Sequence, residues 1–424
     1  MLSLQKIRNI MILNLEFKNF RSFKGCCSFT TEPTSSRAKP DNICKVATGA
    51  EGEKRVLKIS LIFGANASGK TNIIKFMYGF RRWVLNIDNR VGEDIPLYMP
   101  FKFDSDTADA PIEFSIEFIT ANVRYKYTIK FERSKILAET LQSYPVGRPV
   151  LLYERMLLDD DKESDSIRFG SSLTSNKSFN VFKNQLLLSK FLKDTPCEPV
   201  TNAAKYLSGI VVSNGFHEDT MLGEDKEMLR WLYSHPDNRR MLSEFLSFAD
   251  TGVTDLRLEK RSDGVEASGL HGLYKDGKDI GESDLPLKEE SFGTRALFII
   301  GCNILQSLQN GSPFFVDEMD SGLHSHITQL IVDIFRNKRI NRNNAQLVFT
   351  THDVNLLDQN TIRKDQIWFT EKNKYGVSEI FSLSDFSDVR EDTLFGKWYL
   401  NNKFGGVPSL QPLEKLFADN GKEE

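Results

Sequence analysis

Gly64-Ala65-Asn66-Ala67-Ser68-Gly69-Lys70-Thr71-Asn72 fits the pattern G-x-x-x-x-G-K-[ST], with Lys70 and Thr71 in the two decisive places. Ahead of it, Val56 to Phe63 predicts a β-rich apolar strand. Behind it, Asn72 to Phe80 carries apolar residues at helical spacing. Strand, glycine loop and helix are the context this motif requires, and they disfavour a plain glycine turn before an ordinary helix. Glycines let backbone N–H groups close around the α- and β-phosphates, and the helix N-terminus adds its positive end. The expected nucleotide-binding residues are Gly64, Asn66, Ala67, Ser68, Gly69, Lys70, Thr71 and Asn72. Lys70 is placed for the β- and γ-phosphates and the Thr71 hydroxyl for Mg²⁺, so ATP and Mg²⁺ are the expected cofactors.

Three further segments set the class. Pro313 to Glu318 predicts a short buried strand ending in two carboxylates. In a Walker B reading, Asp317 holds the Mg²⁺ and Glu318 polarises the attacking water. Ala345 to Asp353 predicts another buried strand with His352 at its C-terminal end, suited to sensing a γ-phosphate or to a plain capping or surface role. Glu290-Ser291-Phe292-Gly293-Thr294-Arg295 opens an apolar helix. Ser291 alone would be an ordinary N-cap. Placed shortly before Asp317, Ser291 and Gly293 also offer a hydroxyl and free N–H groups to an anion. In ABC-type ATPases this signature surface grips the γ-phosphate held by the opposite subunit, which implies a homodimer with shared ATP sites. The segment departs from the usual LSGGQ, with Glu290 for the leucine, Phe292 for the first glycine and Thr294 for the glutamine. Asp320-Ser321-Gly322-Leu323-His324 then occupies the D-loop position. Four elements in this order predict an α/β fold, the ABC-type head of a P-loop NTPase.

The chain resembles the OLD-like, AAA-labelled ABC ATPases of bacterial defence, of the AbiL and RloA type. The resemblance begins at Leu13–Phe23, whose Asn19-Phe20-Arg21-Ser22-Phe23 opening is similar to the first strand of RecF and SMC-like heads. It runs through the glycine loop and Glu290–Arg295 and is most particular at Thr350–Asp358, Arg363–Lys372 and Tyr399–Pro408. It implies an ATP-driven sensor or regulator beside a separately encoded effector, a nuclease. The alternative is a RecF-like repair ATPase that binds DNA in an ATP-dependent way.

Composition bounds the rest. With 55 basic and 58 acidic residues the net charge is −3, which gives no global attraction to nucleic acid. Any nucleic-acid contact needs a local patch, and Lys54, Arg55 and Lys58 or Arg336, Lys338, Arg339 and Arg342 are the candidates, with solvated loops as the plainer reading. Five cysteines without a C-x-x-C indicate neither zinc nor a disulfide framework. No signal peptide or membrane-length apolar run is visible, so a cytoplasmic protein without membrane contact is expected.

Lys70 and Asp317 are 247 positions apart, so the head is expected in two parts. Residues 11–175 carry the glycine loop and an antiparallel β layer, including a hairpin over Ile112–Phe118 and Val123–Ile129 with strands at Leu137–Gln142 and Val150–Leu157. A helical insertion spans 176–252, with helices at Phe179–Phe191 and Glu227–Ala249, the second burying Leu229, Leu232, Met241, Phe245 and Leu246. Residues 253–410 return to the head through a β-meander at Lys260–Leu285, and 411–424 form a tail. A Q-loop residue is sought at Tyr98–Phe101. His324 and His326 read as surface or D-loop residues. The Asp104-Ser105-Asp106 and Asp159–Asp161 matches read as polar loops, leaving no nuclease site in the chain.

Overall fold

The computed structural model describes residues 10–408 apart from 88, 89, 91, 160–163, 172, 174–179, 194, 216, 217 and 263. The N-terminal strands are β1 (Met11–Lys18), β2 (Cys27–Thr30), β3 (Ile43–Ala47), β4 (Glu53–Leu57) and β5 (Ile59–Gly64), and α1 (Lys70–Val84) follows the glycine loop. The apolar run expected as one strand from Val56 to Phe63 is broken at Lys58. β4 pairs with β3 in a two-stranded ribbon, whereas β5 enters the central parallel sheet. The chain changes sheet at Lys58, a buried lysine whose N–H still bonds Asn42 O in the β3–β4 register. Its carbonyl accepts from Leu347 N at 2.8 Å in the parallel sheet, and its Nζ donates to Arg336 O at 2.9 Å.

An antiparallel run follows: β6 (Ile112–Thr120), β7 (Val123–Phe131), β8 (Ile136–Tyr144), β9 (Val150–Asp159) and β10 (Ser164–Phe169). Its first hairpin turns on Ala121 and Asn122, both left-handed at φ 49° and 59°, as a two-residue type I′ turn requires. These strands join β1 and β2 in a seven-stranded sheet of order β10-β9-β8-β7-β6-β1-β2. Helix α1 lies between this sheet and the parallel one, with Phe76 4.3 Å from Phe114 between ring centroids in the shared core.

The segment expected as an insertion contains α2 (Leu187–Lys193), α3 (Glu198–Ser208), β11 (Val211–Ser213), α4 (Glu218–Ser234) and α5 (Pro236–Phe248). It is threaded through the head, since β11 pairs in parallel with the Walker B strand. Two helix expectations need correction. Helix α2 begins at Leu187, where the buried Glu139 carboxylate accepts from Leu187 N and Leu188 N; residues 181–186 are irregular, and 179 lies outside the described residues. The single helix expected over 227–249 is two, because Pro236 pushes His235 to φ −132°, ψ 81°. The restart changes the phase of the apolar stripe. Leu242 turns inward with Leu246, Phe245 is partly buried, and Met241 is exposed.

The expected meander is a three-stranded sheet of β12 (Asp255–Arg261), β13 (Gly264–Lys275) and β14 (Lys278–Pro286). Then come α6 (Phe292–Asn310), β15 (Phe314–Val316), α7 (Ser325–Arg336), β16 (Leu347–Thr350), β17 (Ile367–Lys372), β18 (Ser378–Ser382) and α8 (Phe395–Leu400). Gly311 ends α6 in the left-handed conformation at φ 71°, a position that favours glycine. The second sheet runs β11-β15-β16-β5-β17-β18, parallel except for the last pair. Its order sets the strands bearing Ser213, Asp317, Thr350 and Gly64 side by side, with the C-terminal ends on one edge. The expected tail, 411–424, lies outside the described residues.

Candidate nucleotide-binding site

At the end of β5 the chain turns through Gly64 (φ 154°), Ala67 (φ 60°) and Gly69 (φ 117°) before α1 begins. A Cβ on Gly64 would lie 2.5 Å from Thr370 O, so that glycine is required by close approach. Lys70 is buried and its Nζ donates to Gly64 O at 2.8 Å and Ala65 O at 3.1 Å, folding the side chain back over its own loop. Burial holds its pKa below the usual lysine value, while Asp317, Glu318 and Asp320 act to raise it. Thr71 and Asn72 open the helix and are half-buried, and Asn66 and Ala67 are exposed at the loop tip.

The loop rests on a chain of hydroxyls. Ser68 Oγ is 2.6 Å from Thr370 Oγ1, and Ser378 Oγ donates to Ser68 O at 2.6 Å and lies 2.7 Å from Ser22 Oγ, from which it can accept. Asn72 Nδ2 donates to Ser22 Oγ at 2.8 Å. Ser22, Thr370 and Ser378 carry no motif of their own in the sequence. Ser22 lies within the Asn19–Phe23 resemblance and Thr370 within Arg363–Lys372, and neither stretch assigns them a role.

Asp317 directly follows β15 and is almost fully buried, accepting from Thr350 Oγ1 at 2.6 Å. The next residue, Glu318, takes a left-handed backbone (φ 48°) with its N–H 2.7 Å from the same hydroxyl. Non-glycine residues rarely adopt this conformation. His352 N donates to Asp320 Oδ2 at 3.1 Å. Burial and then the Lys70 charge push the His352 imidazole pKa down, against Asp320, Glu318 and Asp317, which pull it up. These mutual influences bring three of the four predicted segments, those of Lys70, Asp317–Glu318 and His352, around one point together with Asp320. Among the described residues no group of three or more His, Cys, Asp or Glu side chains could hold a metal ion. Mg²⁺ in phosphate sites is usually held by one or two protein groups plus the phosphates, and Thr71 and Asp317 fit that smaller role.

Ser291 caps α6, its Oγ accepting from Thr294 N at 3.1 Å, so the plain N-cap reading holds. The hydroxyl is nevertheless on an exposed residue. Phe292 and Gly293 pack on the predicted D-loop: a Cβ on Gly293 would meet Gly322 O at 2.9 Å, and one on Gly322 would meet the Phe292 ring at 2.5 Å. Glu290, in the leucine position, is buried and bonded to His271 Nε2 at 2.8 Å, which anchors the signature to β13.

At Tyr98–Phe101, where a Q-loop residue was sought, Met99 O accepts from Arg21 N at 2.7 Å, and no glutamine is present. The polar pair next to the Walker B strand is instead Ser213 and Asn214. Asp317 N donates to Ser213 O at 3.1 Å, and Ser213 Oγ and Asn214 Oδ1 are buried without hydrogen-bond partners. No motif announces them, though they follow the short β-branched run Ile210-Val211-Val212. His324 is a helix cap, its Nδ1 accepting from His326 N. Asp104 is bonded to Lys24 Nζ at 2.6 Å and to Asp106 N, a loop-fixing arrangement. The two basic clusters meet, with Arg55 and Lys338 lining one depression of about 580 Å³. Several of their charges are committed, Lys54 to Glu32, Arg336 to Asp333 and Lys338 to Asp41.

A family model described as "AAA domain, putative AbiEii toxin, Type IV TA system" matches residues 59–187 and 218–358. The chain belongs to this family. The matched span holds the glycine loop, Ser291, both Walker B carboxylates and His352. The family assignment makes this an AAA/AbiEii-type domain and supports ATP as its ligand. No match is found among curated proteins. Similar solved structures include an SMC head bound to the C-winged helix domain of ScpA, at 16% identity over 88% of this chain and 97% of that one, TM-score 0.45. The SMC head domain from Thermotoga maritima is 17% identical over 88% and 98%, TM-score 0.39. An Smc head with an extended coiled coil from Pyrococcus furiosus, bound to the C-terminal domain of ScpA, is 15% identical over 88% and 96%, TM-score 0.38. These scores mark loose likenesses.

Proposed function

We propose that this chain hydrolyses ATP to ADP and phosphate in sites shared between two copies, and that the cycle controls a separately encoded effector, a nuclease, in anti-phage defence. The observation that carries the reading is the convergence of Lys70, Asp317, Glu318 and His352, with Ser291 exposed. Lys70 would neutralise the β- and γ-phosphates, and Thr71 and Asp317 would hold Mg²⁺, which supplies charge neutralisation when bound. Glu318 would orient and polarise the attacking water, and His352, kept neutral by burial and by Lys70, would meet the γ-phosphate as a hydrogen-bonding group. Ser291 and Gly293 of the second copy would close the site, making ATP the joint between heads and hydrolysis its release. A cytoplasmic setting belongs to this reading, supported by Cys26, Cys27, Cys44, Cys197 and Cys302 all being free thiols.

The test is Glu318→Gln. ATP should still bind, turnover should fall by about 10²-fold or more, and the protein should elute as an ATP-dependent dimer on gel filtration. Hydrolysis at the wild-type rate would remove Glu318 from its role, and a monomer at saturating ATP would remove the shared site.

A further inference from the structure

Beside Arg21, against the outer face of α1, lies a cavity of about 260 Å³. Phe20, Tyr78, Trp83 and Leu97 give it largely apolar, aromatic walls, and Arg21, Lys75 and Arg82 add three cations. None of the described residues lining it is acidic. Two polar atoms of its lining residues, Arg21 Nε and Asn214 Oδ1, are buried without hydrogen-bond partners. A buried donor with no acceptor is costly, and a cationic one most of all. Arg21 is left-handed at φ 50°, its N–H is held by Met99 O at 2.7 Å, and its Nη2 donates to Met99 Sδ at 2.8 Å, which leaves Nε as the orphaned donor. Strained non-glycine residues of this kind persist where the surroundings over-determine them, often at ligand sites.

We infer that this cavity is a second ligand site, distinct from the nucleotide loop, for a small aromatic anion: one ring system carrying a single carboxylate, sulfonate or phosphate group. The ring would lie against Phe20, Tyr78 and Trp83, and the anion would face Arg21 and Lys75. Cation and aromatic wall together select this class, because a neutral ring leaves Arg21 Nε unanswered and a simple ion leaves the walls wet.

The position also gives the site an effect on nucleotide. Lys75 and Tyr78 lie one and two turns along α1 from Thr71. Ser22, next to Arg21, bonds Asn72 and Ser378 at the base of the glycine loop. Asn214 follows Ser213, whose carbonyl holds Asp317 N. An occupant therefore touches residues joined to both Walker segments, and its binding changes ATP affinity and is changed by ATP to the same degree. This coupling rests on the nucleotide reading, but the binding itself does not.

The experiment titrates the full chain with naphthalene-1-sulfonate, using neutral naphthalene-1-methanol as control, and follows Trp83 fluorescence and ligand NMR line width. The sulfonate should bind at least about tenfold more tightly than the alcohol. Lys75→Glu should weaken it about tenfold or more while ATP affinity without sulfonate stays unchanged. Gly79→Leu should abolish it by filling the cavity, since a Cβ there meets only the flexible end of Leu97. Saturating sulfonate should shift the ATP Kd by about fivefold without being displaced by ATP. Equal binding of the two compounds, full affinity in Lys75→Glu, or competitive displacement by ATP would each overturn the site. Should Gly79→Leu fail to fold, Lys75→Glu decides. If the chain bound no ATP at all, the proposed function would fall, and the sulfonate titration would still judge the cavity.

Discussion

Glu139 and Asp317 are both buried carboxylates at or near sheet strands, and they use their oxygens differently. Glu139 accepts from Tyr153 OH at 2.8 Å, Tyr127 OH at 3.1 Å, Leu187 N at 2.8 Å and Leu188 N at 2.9 Å, with Arg155 3.9 Å away. Burial, reinforced by this carboxylate, drives the Tyr127 and Tyr153 pKa values well up, so both stay donors. Asp317 has one described side-chain partner, Thr350, and feels Lys70 across the site. Saturation marks the carboxylate that holds the fold, tying β8 to the start of α2. Spare acceptor capacity marks the one that can take a ligand.

Removing each carboxylate tests this contrast. Glu139→Ala should cost about 3–5 kcal/mol in urea unfolding, because it removes the shared acceptor of two buried tyrosine hydroxyls and of Leu187 N and Leu188 N. It also takes the counter-charge from Arg155, which keeps the Gln185 and Phe182 carbonyls. ATP affinity of the folded fraction should be nearly unchanged. Asp317→Asn should do the reverse, keeping stability within about 1 kcal/mol, since the amide oxygen can still accept from Thr350, while Mg²⁺-dependent turnover falls about 10²-fold or more. Equal destabilisation by the two changes would erase the distinction between a finished and an open carboxylate.

The sequence disclosed the open site far better than the closed one. Gly64–Asn72, Asp317, Glu318 and His352 are legible because phosphate chemistry restricts residue type and spacing together. The β6–β7 hairpin and the three-stranded sheet are legible because alternation and turn residues are local signals. Glu139 is not, because its partners come from β7, β9 and α2, and no local pattern records that meeting. Ser22, Thr370 and Ser378 are hidden for the same reason, as ordinary hydroxyls that become a scaffold only when β17, β18 and the Asn19–Phe23 turn surround the loop. The break at Lys58 is not legible because the strands it joins on either side, β3 and the distant β16, are set by pairing that no local pattern records.

Ser291 offers a third, intermediate case: its hydroxyl serves its own helix and yet faces solvent. Ser291→Ala should leave ATP binding intact and impair dimerisation and hydrolysis, while Lys70→Ala should weaken binding itself. Mixing the two variants should restore part of the activity, about a quarter to a half of the wild-type rate per mixed dimer, because one composite site of two is whole. If the mixtures show only the sum of the inactive parents at every ratio, Ser291 acts within its own chain, and its place beside the saturated Glu139 is with the structural groups.

The smallest effect concerns His352, whose environment reports Lys70 directly. Its pKa lies below the usual 6.5, first through burial and next through the Lys70 charge, with Asp320, Glu318 and Asp317 opposing. The folded state then takes up this proton less readily than the unfolded chain. Its contribution to stability is intact above the unfolded value, declines as pH falls through 6.5, and levels off once pH passes below the folded value. Lys70→Ala deletes the second cause and leaves the three carboxylates, so the His352 pKa should rise. Ser291→Ala removes no charge and should leave it in place. A side-chain NMR titration of the histidines, with His352→Asn to assign the resonance, measures both. A wild-type value at or above 6.5, or no movement in Lys70→Ala, would detach His352 from the open site. The hydrogen bond from His352 N to Asp320 would then be a loop cap, and the neutral imidazole would have no reason to face a γ-phosphate.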